Sequence, residues 1–127
     1  GPYDENIFFY YDEWDYCKRA QDTEYPVYLI RDLAVKHIGG KSYSKDIQLS
    51  VDFVRHWHYS WSKFYFNKKH FGKLNAYSIG IYDLFLNFSK LIVFFFFDNY
   101  KYNIYKNKIS GLINSAIGRK SWKRLKI

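Results

Sequence analysis

Apolar and polar positions alternate with a helical period over most of the chain. Phe53, Trp57, Trp61, Phe64 and Phe71 recur near that spacing between polar residues, which predicts a long helix from about Ser44 to Phe71 that Gly72 stops. A second helix is expected from about Leu74 to Phe97, closing on the uninterrupted run Leu91–Phe97, and a third, basic helix from Asn103 to Ile117 ending near Gly118. Seven consecutive apolar residues fall far short of the ~20 that span a bilayer. Arg119–Arg124 reads as a frayed tail. Towards the amino terminus, Tyr10–Ala20 reads as a short helix with its acids near its start, where the helix dipole favours them. Beyond the break at Tyr25 and Pro26, Val27–Ile30 and Leu33–Val35 are rich in branched and aromatic residues and read as strand, and Gly39-Gly40-Lys41-Ser42 reads as a turn.

Charge divides the chain. Asp4, Glu5, Asp12, Glu13, Asp15, Asp22 and Glu24 crowd the first third, whereas no acid stands between Lys101 and Lys126, and the net charge of the 127 residues is +8. An acidic head and a basic tail suggest two separate jobs. The tail favours anions such as phosphates or lipid headgroups. The single cysteine, Cys17, excludes an internal disulfide. Aromatic residues, 24% of the chain, supply stackable area that suits sugars, bases, lipids or another subunit.

The densest chemical signal is Asp12-Glu13-Trp14-Asp15, three carboxylates in four positions, with Lys18 and Arg19 close behind. Crowded carboxylates repel one another, and one whose proton affinity rises can take a proton from a hydroxyl as a general base. The plain alternative is a solvated first turn paired with Lys18 and Arg19. His37, at the end of an extended stretch, is by itself more often structural than a metal ligand, and Gly39-Gly40 more often just a turn. His56 and His58, two apart on a helix, point away from each other, so they make no local zinc pair. Trp57 and Trp61, one turn apart, read as core or interface rather than as a sugar platform.

The run Tyr3-Asp4-Glu5-Asn6-Ile7-Phe8-Phe9-Tyr10-Tyr11-Asp12-Glu13-Trp14-Asp15-Tyr16-Cys17-Lys18-Arg19 closely resembles the segment F-D-E-x-F-F-x-Y-x-E-D-x-D-x-C-x-R of family 2 glycosyltransferases, especially rhamnosyltransferase-like members. Some twenty residues on, Ala34-Val35-Lys36-His37-Ile38-Gly39-Gly40-Lys41-Ser42 resembles the V-x-H-x-G-G-x-S stretch of the same family, and Lys69-His70-Phe71-Gly72 more weakly resembles its K-H-x-G. The resemblance implies a GT-A type α/β fragment: a short helix and strands over 1–43, the acceptor-side end of the catalytic domain, followed by a predominantly α-helical bundle over 44–127.

It also implies an enzyme that moves a sugar from a nucleotide-sugar donor to a saccharide or lipid-linked acceptor with inversion, in surface polysaccharide or glycolipid synthesis. Glu13 inherits the role of acceptor base; because the order here is Asp-Glu where the family has Glu-Asp, Asp12 remains the alternative, with Asp15 beside them. Asp4, Glu5, Trp14, Arg19, Gly39, Gly40 and Ser42 would contact substrate, and His37 would hold a divalent cation, Mg or Mn. The family's second metal element, Asp-x-Asp, is absent, as is any series of nucleotide-binding strands before Tyr3, so the chain is expected to be a piece of a longer enzyme and inactive by itself. A cytoplasmic position, peripheral contact with the inner membrane face and self-association through the carboxy-terminal helices complete the expectation. The competing readings are a basic, aromatic-rich module for nucleic acid or anionic membrane, and a structural helical oligomer. The acidic head would repel phosphates and no nucleic-acid motif is present, so no nucleic-acid partner is expected.

Overall fold

The structure, a computed structural model, describes residues 3–36 and 44–125. Three helices and one short 3-10 turn carry the fold: α1 (Asp12–Asp22), the turn Lys45–Ile47, α2 (Gln48–Phe97) and α3 (Asn99–Ala116). No strand occurs among the described residues, so the expected α/β fragment of a GT-A fold is corrected to an α-helical bundle. Val27–Ile30 and Leu33–Val35, expected as strand, carry no regular secondary structure, and their side chains are exposed. Branched and aromatic residues favour a pleated surface, but a strand exists only where a partner backbone accepts its hydrogen bonds.

Helix α2 is two arms, because Gly72 interrupts it at φ 85, ψ 169, a backbone conformation that essentially only glycine adopts. Lys63 and Asp83 lie twenty residues apart, which a straight helix would separate by about 30 Å, yet their side chains pair at 2.6 Å. The chain therefore reverses at Gly72. It reverses again at Asp98, whose carboxylate caps α3 by accepting from the Lys101 backbone N–H at 3.0 Å. The result is an up-down-up bundle in which α3 runs parallel to the first arm: Tyr100 bonds Asp52, and Trp57 Nε1 donates to Ser110 Oγ.

Val51, Val54, Trp57, Trp61 and Phe64 form the buried stripe of the first arm at steps of three and four. Ala76 and Gly80 face it from the second arm, and Gly111 and Leu112 from α3. Small residues at these places let the backbones approach closely. Phe64 fills the notch over Gly80, its ring carbons 3.0 and 3.1 Å from where a Cβ would stand.

The tail is fastened, where fraying was expected. Trp61 Nε1 donates to the carbonyl of Arg119 at 2.9 Å, and Ser121 Oγ donates to that of Asn6 at 2.9 Å. His58, fully buried, meets the Lys123 carbonyl at 2.7 Å through Nε2, which must carry the proton because a carbonyl only accepts. The Arg124 guanidinium lies over the Phe8 ring at 3.7 Å. Head and tail thus close over the same middle stretch of the first arm.

Candidate functional site

The acidic head is built on a short looped arm. Asp4 Oδ1 accepts from the Asn6 backbone N–H at 3.0 Å and the Asp4 carbonyl from Ile7 N–H at 2.9 Å, a local turn that aims Ile7 into the core. Ser62 Oγ then holds the Phe9 carbonyl at 2.8 Å and Arg55 Nε the Tyr10 hydroxyl at 2.7 Å. Tyr10 and Tyr11 follow at φ 63 and 68, left-handed backbone that aromatic residues rarely adopt. Two strained residues in succession turn the chain sharply into α1 and leave Asp12 and Glu13 at its first turn, where the dipole favours carboxylates.

Lys69, from the end of the first arm of α2, joins two of the acids. Its Nζ stands 2.7 Å from Asp4 Oδ2 and 2.6 Å from Asp15 Oδ1. Asp15, fully buried, also meets His70 Nε2 at 2.8 Å and Arg19 Nε at 2.9 Å. Burial alone would raise the proton affinity of both aspartates, but the hydrogen bonds from Lys69, joined by His70 and Arg19 at Asp15 and by Asn6 and Tyr65 at Asp4, outweigh it and hold both carboxyls below their usual range. Burial would likewise depress Lys69, and the two aspartates overcome that and hold its ammonium charged.

This network engages three of the expected site residues. Asp15 is enclosed, and its oxygens are occupied by Lys69, His70 and Arg19. Of the residues expected at substrate, Asp4 bonds Lys69 and Tyr65 of α2, and Arg19 pairs with Asp15 one turn away within α1. Asp12 and Glu13 differ: with Phe8, Phe9 and Tyr10 they line a hollow of about 420 Å³. Glu13 and the exposed Trp14 also border a second, more apolar hollow of about 650 Å³ walled by Tyr11, Phe66 and Phe71. Glu5 is exposed. His37, Gly39, Gly40 and Ser42 lie outside the described residues. Among the described residues no group of three potential metal ligands gathers. Lys69, His70 and Tyr65 were not singled out as site residues, although Lys69-His70-Phe71-Gly72 carried the signal.

Comparison of the chain with protein-family models, curated proteins and solved structures finds no match.

The buried groups set a two-step pH dependence. Burial holds His58 and His56 below the ordinary histidine value, so the unfolded chain binds protons that the fold refuses. Their contribution to stability is complete above about pH 6.5 and declines as pH falls, by up to about 1.4 kcal/mol per pH unit for each proton. The depressed Asp4 and Asp15 act the same way lower down: their contribution is complete above about pH 4 and is lost towards their folded values. Denaturant titrations across that range are expected to show both declines. His58→Gln, which keeps a donor for the Lys123 carbonyl, should shrink the upper one to the part His56 contributes and leave the lower one.

Proposed function

We infer that this chain supplies the acceptor-activating carboxylate of an enzyme that transfers a sugar from a nucleotide-sugar donor to a hydroxyl. The observation that carries the reading is the division of labour among adjacent acids: Asp4 and Asp15 are tied to Lys69, whereas Asp12 and Glu13 open onto a hollow. A base must reach its substrate, and only the second pair can. The resemblance of Tyr3–Arg19 to the acceptor-base segment of family 2 glycosyltransferases supports the same pair.

In this reading an acceptor hydroxyl sits against Glu13, with Asp12 beside it. Glu13 takes the hydroxyl proton as the oxygen bonds to the anomeric carbon, the bond to the diphosphate breaks with its electron pair, and configuration inverts. Trp14, exposed beside Glu13, offers a flat amphipathic face to the acceptor sugar. Asp15 and Lys69 act through position: they lock the register of α1 on the bundle, and thereby where the two acids stand.

The test is transfer of labelled sugar by the full-length gene product. Glu13→Gln is expected to lower kcat by about 10²–10⁴ with little change in acceptor KM, and Asp12→Asn by less. If both substitutions leave kcat within twofold, the reading fails. The 127-residue chain alone is expected to turn over no sugar nucleotide, and turnover by it would overturn that expectation.

A further inference from the structure

We propose that the second arm of α2 docks face-on to an anionic phospholipid bilayer, through the side turned away from the bundle. Ala76, Gly80 and Phe94 turn inward, towards the first arm and α3. On the opposite side Leu74, Ile81, Phe85, Phe88, Ile92 and Phe95 follow at steps of three, four and seven, each between 52% and 89% exposed. This stripe extends about 30 Å by helical rise. Hardly any of the arm's most apolar 18 residues are buried. An apolar surface of this length, broken only at Ser78, marks a docking face rather than ordinary exterior.

Charge identifies the occupant. Tyr102 of α3, the neighbouring helix, lines one edge of the stripe with Ile92 and Phe95, and the exposed Lys106 sets its ammonium over that ring while Lys101 sets its own over Phe94. No acid follows Asp98 to the end of the chain. A second copy meeting this face would set one lysine collar against another, whereas anionic headgroups complement it. A shallow hollow of about 290 Å³ between Leu91, Ile92, Phe95, Phe96 and Tyr102 suits an acyl chain.

The arm is long and apolar enough to cross a membrane, but crossing would drag α3, with its lysines and asparagines, into the hydrocarbon. Lying in the interface keeps α3 among headgroups and buries only the stripe. Nothing in this inference depends on sugar transfer.

Co-sedimentation with vesicles tests it, comparing pure phosphatidylcholine with a mixture containing about one-third phosphatidylglycerol. The chain is expected to bind the mixture, to bind phosphatidylcholine at least tenfold more weakly on the order of the charge effect, and to release as salt rises. Phe88→Asp with Ile92→Asp, on the exposed stripe, should abolish binding while circular dichroism remains helical. Lys101→Glu with Lys106→Glu should weaken it by roughly fivefold or more per lysine. Absent binding, equal binding to both vesicles, or a dimer in light scattering that Phe88→Asp with Ile92→Asp dissociates in place of lipid binding, would overturn the proposal.

Discussion

Asp15→Ala is expected to lower the melting temperature by roughly 10 °C, the consequence of about 3 kcal/mol lost from the fold. The carboxylate is fully buried and accepts from Lys69, His70 and Arg19 together, so its removal leaves three donors facing one another without their shared acceptor. The figure sits at the lower end for breaking a buried pair, because Lys69 and Arg19 side chains remain about one-third exposed and water can reach them. Asp12→Ala, one turn earlier and half-buried on the hollow, should stay within about 0.5 kcal/mol. Differential scanning calorimetry separates the two. Equal, small effects would show that Asp15 fastens nothing. Because the head rests on this joint, Asp15→Ala should also speed proteolysis within the exposed stretch from Glu24 to Lys36, read by limited digestion at fixed temperature.

The contrast between Asp12 and Asp15 shows where reading the chain alone stops. Helical stripes such as Val54, Trp57, Trp61 and Phe64 are local, and they placed the three long helices and the break at Gly72 within a few residues. Asp15 belonged to an acid cluster by every local sign. What ties it off comes from Lys69 and His70, more than fifty residues on, and pairing over such a separation has no periodic signature. The strands expected over 27–35 failed for the same reason in reverse: side-chain preference was legible, but the partner edge that a strand requires was not there to be read. The tail misled through its charge. Lys and Arg suggested solvent, while two of the groups that fasten it are backbone carbonyls of Arg119 and Lys123, which any residue carries. The hollow beside Asp12 and Glu13 was legible only in part, since the pair of acids could be read but the left-handed Tyr10 and Tyr11 that present it could not be inferred from their identity.

Glycine positions in the bundle carry the other large effect. Gly111→Ala is expected to cost about 3 kcal/mol, at the upper end for overpacking, whereas Gly80→Ala should cost less than half of that. Both glycines sit where helices cross, but they face different kinds of atom. A Cβ on Gly111 would run into the carbonyl oxygen of Trp57 and stand 3.0 Å from its carbon, and that backbone belongs to the first arm at its fully buried tryptophan. Neither helix can yield without lifting α3 away and pulling Ser110 Oγ from Trp57 Nε1. A Cβ on Gly80 meets only the edge of the Phe64 ring, a side chain that can pivot by a few tenths of an ångström. Alanine also favours helix over glycine by about 1 kcal/mol, which offsets much of the smaller clash and little of the larger. Guanidinium unfolding midpoints measure the difference, and near-equal midpoints for the two variants would mean that α3 does not rest on the Trp57 backbone.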